Sequence, residues 1–175
     1  MPELGSILAD ASLPLFERYR AMFSLRNIGG QDAVQELCNV LVKDDSSALL
    51  RHEVAYVLGQ MQHPSSVEAL AQSLRRPEEH KMVRHESAEA LGAIDGRWDA
   101  VEPILNEFSN DENDVVRESC LVALDAADYW SHVKGEKDHD GDENDLDVSG
   151  EEPSFAKQKA DNMKPVLQNH FNVVN

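Results

Sequence analysis

The sequence predicts an all-α protein, an α-solenoid of about three and a half helical hairpins followed by a disordered acidic tail. Three observations carry this. A period of 33 residues runs through four copies: Arg18, Arg51, Arg84 and Arg117 are equally spaced, and so are Leu25, Leu58, Leu91 and Leu124. Within each copy, apolar or small residues recur at three- and four-residue steps, as at Val54, Val57, Leu58 and Met61, which is the spacing of one buried helix face. No segment shows the strict alternation of a half-buried strand.

Taken in order, residues 1–13 read as a lead-in, and the repeat domain spans 14–132. The first helices of the repeats are RYRAMFSLRNIG, RHEVAYVLGQMQ, RHESAEALGAID and RESCLVALDAAD. Shorter second helices follow three of them, DAVQELCNVL, SSVEALAQSL and DAVEPILNEF, with a one-residue slip in the third copy at the longer turn DGRWD. Turn signals at Gly29-Gly30, His63-Pro64 and Asp95-Gly96 separate the helices within a pair. Asp45, Ser46 or Ser47 can cap the helix that begins near Ala48, and Asp111 or Asn113 the last one. Each pair of a solenoid buries its apolar face only by stacking on the next. The first pair opens on Leu15, Phe16, Tyr19, Met22 and Phe23 with no polar cap before it, so the expectation is a piece of a longer protein.

At 175 residues and 19.5 kDa the chain has room for one modest core. Its 33 acidic against 16 basic residues give a net charge of -17, which argues against a free-standing nucleic-acid binder, because phosphate neutralisation needs a surplus of Lys and Arg. Nine acids between Glu136 and Glu152 face the single base Lys137, so residues 133–153 read as a disordered acidic linker. A calcium loop is disfavoured there: counted from Asp138, the sixth position is Glu143 where such a loop needs Gly. Residues 154–175 form a tail with one short helix broken at Pro165. No leader pattern or membrane-length apolar run occurs, so the expected location is cytoplasmic, with no membrane partner. Cys38 and Cys120 sit in apolar helical patterns and read as buried free thiols. Phosphate loops, CxxC pairs and serine-nucleophile motifs are absent from the sequence.

The candidate chemistry lies in two dipeptides. His52-Glu53 and His85-Glu86 follow the shared Arg at the same phase of the two middle repeats, whereas the outer repeats carry Tyr19-Arg20 and Glu118-Ser119 there. A second copy would match the phase by chance about once in thirty-three. Repeat duplication alone does not force the pair, since the outer copies keep Arg and Leu without it. Adjacent solenoid helices run roughly 8–10 Å apart, so equivalent positions lie side by side, and two imidazoles and two carboxylates can converge between them. Neighbouring helical residues splay by about 100°, so a His and its own Glu cannot aim identically. Mixed imidazole and carboxylate donors suit iron or manganese, and also zinc. Against this stands a solvated, charged solenoid edge with no metal, in which case the chain is a helical-repeat scaffold that binds a protein partner. His80, five residues before His85, is the nearest candidate for an extra ligand.

At LFERYRAMFSLRNIGG, LLRHEVAYVLGQMQH and MVRHESAEALGAI the sequence resembles the deoxyhypusine hydroxylases, HEAT-repeat iron monooxygenases, over residues 14 to about 130. The resemblance implies HEAT-like hairpins and a centre of two Fe(2+), built from two similar halves with two His-Glu motifs each. It implies hydroxylation of the deoxyhypusine side chain in the precursor of eukaryotic translation initiation factor 5A, completing hypusine. Here His52, Glu53, His85 and Glu86 match the metal-binding motifs of one half, and the surrounding order looks like the C-terminal half. The other two motifs are absent, so an N-terminal half-domain is an expected partner. The negative surface suits a polyamine-like substrate, which Glu53, Glu86 or Glu89 can bind.

Overall fold

The computed structural model describes residues 2–94 and 96–137, with burial described as far as residue 126. Among the described residues there are eight α-helices, one 3₁₀ turn and no strand. The helices are α1 (Pro2–Ala9), α2 (Leu15–Ile28), α3 (Gly30–Lys43), α4 (Ala48–Met61), α5 (Val67–Arg75), α6 (Lys81–Gly92), α7 (Trp98–Glu107) and α8 (Asp114–Lys137), with the 3₁₀ turn Pro64–Ser66 before α5. The even-numbered helices pack side by side in one layer, and the odd-numbered ones form the second. The core lies between the layers, where Leu25, Leu58 and Leu91 of the first meet Leu8, Leu41 and Leu74 of the second, none more than 1% exposed. This is the α-solenoid that the 33-residue period predicts.

The lead-in expected over 1–13 contains α1, which packs on α2 and α3 and buries Gly5 and Leu8. With it the hairpins α1–α2, α3–α4, α5–α6 and α7–α8 number four, and the end expected to be bare is largely covered. Met22 and Leu25 are fully buried, while Leu15 and Phe16 stay 41% and 67% exposed at the edge. At the other end α8 runs to Lys137, past the expected boundary at 132, because WSHVKGEK holds no proline and only Gly135 weakens it as a helix. The rest of the linker and the tail 154–175 lie outside the described residues. Ser47 caps α4 by accepting from the Leu50 N–H at 3.2 Å, and Asn113 caps α8 by accepting from the Val115 N–H at 3.1 Å. Both cysteines are free and buried, and burial pushes their thiols up to about 11 for Cys38 and about 12 for Cys120.

The repeated arginines tie one hairpin to the next. Arg18 is buried, donates through Nε to the Leu8 carbonyl at 2.7 Å, and pairs with Asp44. Arg84 repeats this two repeats along, with Nε on the Leu74 carbonyl at 2.8 Å and Nη2 on Asp111 at 2.6 Å. Arg51 instead forks onto Glu79, Nε at 2.7 Å and Nη2 at 2.6 Å, and reaches the Asp44 carbonyl at 3.1 Å. Bidentate guanidinium–carboxylate pairs fix orientation as well as energy, so these bonds set how far each even-numbered helix is turned toward its neighbour. Arg18 and the backbone N–H of Ser47 hold the Asp44 carboxyl below its ordinary value against the opposing effect of burial, and Arg84 and the Asn113 N–H do the same for Asp111.

Glycine sets the distance between the even-numbered helices. A Cβ placed on Gly92 of α6 would lie 2.7 Å from the Ala123 Cβ and 3.0 Å from its Cα on α8, and one on Gly59 of α4 would lie 3.0 Å from the Ala90 Cα on α6. Backbone cannot yield at such distances as a flexible side chain can, so the helices must separate. Gly92→Ala is therefore expected to destabilise the fold by about 1–3 kcal/mol despite alanine's better helix propensity. Urea unfolding measures this, and an unchanged or raised midpoint would show that the α6–α8 contact relaxes freely.

Candidate metal centre

Two stacked helices present the chemistry. The Arg-His-Glu sequences occupy the fourth to sixth positions of α4 and α6, one turn in from the capped ends. The arginines point into the interlayer bonds described above, which leaves the next two residues to turn toward the shared edge of α4, α6 and α8. There the four side chains are mostly covered: His52 is 25% exposed, Glu53 19%, His85 19% and Glu86 12%.

Contacts run diagonally from one helix to the next. His52 Nε2 on α4 lies 3.3 Å from Glu86 Oε2 on α6, and His85 Nε2 lies 3.9 Å from that same oxygen. One donor atom from each of His52, His85 and Glu86 falls within 4.8 Å of the other two. Glu53, expected to join them, does not belong to this group; its Oε1 sits 3.3 Å from His52 Nδ1. The stagger between the two helices explains the difference. It brings His52 Nε2 to the glutamate of the following repeat, one residue out of register, while Glu53 lies on the Nδ1 side of that ring.

The diagonal continues into the outer repeats. Ser119, at the Glu phase of α8, places Oγ 2.6 Å from His85 Nδ1. Sequence reasoning noted Ser119 only as a position where His-Glu is replaced. Its 33-residue offset from Glu86 was the available signal. Tyr19, at the His phase of α2, donates its hydroxyl to the Leu49 carbonyl at 3.5 Å, and burial together with the Glu53 charge pushes that phenol up to about 12. Glu89 is 47% exposed and approaches His85 from the Nδ1 side at 3.5 Å, opposite the nitrogen that nears Glu86. His80 supplies no further ligand atom to the cluster; it is the N-cap of α6, and its Nδ1 accepts from the Met82 N–H at 3.2 Å.

Electrostatically the centre is acidic. Glu53 and then Glu86 accept hydrogen bonds from His52 and raise its pKa to about 9, overcoming the opposing effect of burial. A cation is thus what this cluster favours between its carboxylates, whether a proton on imidazole or a metal. Two imidazoles and one carboxylate form the donor set typical of non-haem iron(II) sites with open positions, and zinc takes the same donor types. The residues fit a metal of that class, and their neighbours act on the outer nitrogens: Glu53 on His52, Ser119 and Glu89 on His85. Such outer contacts orient a ligating imidazole and select its tautomer.

No described helix is long and apolar enough to cross a membrane. A family model described as HEAT repeats matches residues 1–79 and 35–125. The chain is similar to the deoxyhypusine hydroxylase of Dictyostelium discoideum, 48% identical over 139 residues that make up 79% of this chain and 43% of the relative. It is 52% identical to the Danio rerio deoxyhypusine hydroxylase over 129 residues, 74% of this chain and 41% of that one. A solved structure of human deoxyhypusine hydroxylase in complex with glycerol superposes with a TM-score of 0.69 at 52% identity, over 73% of this chain and 43% of the human one. The chain therefore spans less than half the length of the relatives it matches. Stacked helical pairs repeating every 33 residues, together with a family match that runs across residues 1–125, mean that the chain belongs to the HEAT-repeat family.

Proposed function

We propose that this chain supplies one half, the C-terminal one, of the iron centre of a deoxyhypusine hydroxylase. In this reading His52 and His85 bind metal through Nε2 and Glu86 through its carboxylate. The observation that carries it is the gathering of these three donors within 4.8 Å in a chain about half identical to enzymes of that name. Iron held there would supply the activation of dioxygen that hydroxylation requires. A centre of two Fe(2+) needs more ligands than three, as the six-residue sets of ferritin-like proteins illustrate, so a partner half must bring the remainder. Glu53 steadies His52 from outside the donor group. Glu89, exposed beside His85, is the carboxylate placed to meet a cationic side chain, and deoxyhypusine on the precursor of translation initiation factor 5A carries such amines. The reaction would take place in the cytoplasm.

An exposed apolar row favours a second reading, a metal-free scaffold for a protein partner. Phe16, Leu49 and Met82 recur at the 33-residue spacing on successive even-numbered helices and are 67%, 60% and 38% exposed. Metal analysis separates the two. Purified without chelator, the chain alone is expected to hold less than two irons. Mixing it with the N-terminal half of the Danio rerio relative is expected to raise iron content and to produce hydroxylation of a deoxyhypusine-bearing substrate. A chain that stays iron-free and inactive in that mixture is a scaffold.

A further inference from the structure

We propose that Ser119 is a positioning residue of this centre: it holds His85 by Nδ1, so that the Nε2 lone pair faces His52 and Glu86. The proposal rests on the reading of those residues as ligands and goes beyond it by assigning a task to the fourth repeat, where the His-Glu motif is lost.

The geometry is specific. Ser119 is 5% exposed on α8, and its Oγ lies 2.6 Å from His85 Nδ1, closer than any other polar group to either imidazole. A hydroxyl alone leaves the proton's place open, since it both donates and accepts. Glu89 decides it. Its carboxylate, 3.5 Å from the same Nδ1, can only accept while ionised, and with the Ser119 oxygen at 2.6 Å it stands nearer to Nδ1 than Glu86 Oε2 does to Nε2 at 3.9 Å, so the two nearer oxygens favour the hydrogen on Nδ1. Nε2 is then left with its lone pair on the side of Glu86 Oε2, as a ligand requires. His52 has the same arrangement of neighbours, with Glu53 at Nδ1 and Glu86 at Nε2.

The repeat explains why a serine stands here. From α4 to α6 and from α6 to α8, the Glu phase of one helix meets the His phase of the helix before it. Glu86 meets His52 at Nε2 and can share a metal with it; Ser119 meets His85 at Nδ1, where another carboxylate ligand has no place. A short neutral hydroxyl ends the row of ligands and turns a ligand position into a support. Its placement is firm because α8 is pressed against α6 at the Gly92–Ala123 contact, so the hydroxyl is fixed by backbone rather than by a long side chain.

The test begins with the metal-free chain, in which nitrogen-15 spectra of the histidine rings at mildly alkaline pH distinguish Nδ1–H from Nε2–H. His85 is expected to be Nδ1–H. In Ser119→Ala the Nε2–H form should gain a comparable share while His52 keeps its signals, and affinity for Co(II) should fall about 10- to 100-fold. Ser119→Thr should restore both. Should Ser119→Ala fail to fold, Ser119→Cys, similar in size with a weaker hydrogen bond, is read the same way. The proposal is overturned if the parent chain already shows Nε2–H at His85, if a folded Ser119→Ala keeps both tautomer and affinity, or if Ser119→Thr restores neither. A parent chain that takes up no Co(II) overturns the ligand reading instead, and the tautomer comparison still decides what Ser119 does.

Discussion

His85→Ala is expected to strip iron from the chain while leaving its helices in place. The imidazole lost is one of three donors, and even the removal of a group that merely orients a ligand typically costs about 10- to 100-fold in metal affinity, so the loss of the ligand itself should exceed that range. Helicity should survive, because alanine is the strongest helix former and His85 sits in the interior of α6. Some stability is lost with it. The Ser119 hydroxyl, 5% exposed, is left without its partner at Nδ1, a cost of about 1–3 kcal/mol. Glu53→Gln gives the contrast. Glu53 lies outside the three-donor group, and glutamine keeps an oxygen to accept from His52 Nδ1, so iron retention should fall by no more than about tenfold. Elemental analysis after anaerobic reconstitution, read beside circular dichroism, checks both variants. Iron held as tightly by His85→Ala as by the parent chain removes His85 from the ligand set, and a loss in Glu53→Gln as deep as that in His85→Ala brings Glu53 into it.

Much of this architecture is legible in the residues because a solenoid writes its packing once per turn. The Arg and Leu series marks every even-numbered helix, and the His-Glu phase marks the residues of the three-donor cluster. The series missed α1 because its anchors belong to the other layer: Leu8, Leu41 and Leu74 keep the same 33-residue spacing, and laying that second series over the first residues finds the helix. Periodicity alone could not reveal the one-residue stagger between neighbouring helices. That stagger goes with the Arg51 fork and the Gly59–Ala90 contact, which seat α6 on α4, and with it Glu86 rather than Glu53 joins the His52 Nε2 side. It also gives Ser119 a partner, which a reading of equivalent positions side by side does not supply. His80 shows the opposite error, since closeness in sequence to His85 suggested a ligand where the chain needed a helix cap.

Arg51→Ala should cost the metal-free fold about 3–5 kcal/mol, the largest stability effect expected of a single substitution here. The reason lies with its partner. The Glu79 side chain is 1% exposed and receives both arms of the Arg51 fork, while among the described residues the only other guanidinium paired with it, that of Arg76, stands at 3.8 Å. Glu79 also accepts from the His80 N–H at 2.7 Å, at the start of α6. Removing Arg51 therefore leaves a buried carboxylate without its counter-charge at the point where α4 is fastened to the entry of α6. A domain of this kind holds about 5–15 kcal/mol in total, so such a loss brings it close to unfolding, and the centre fails with it because His52 is the next residue. The loss of iron in Arg51→Ala should thus track loss of helicity in dilute urea, whereas in His85→Ala it should not. Arg51→Met combined with Glu79→Leu should recover most of the difference, since an apolar pair of similar volume removes both charges and leaves neither one stranded. Urea unfolding of Arg51→Met, Glu79→Leu and the double variant gives the coupling directly. A loss below about 1 kcal/mol in Arg51→Ala would mean that Arg76 swings in to replace it and that the fork, for all its geometry, does not hold the two repeats together.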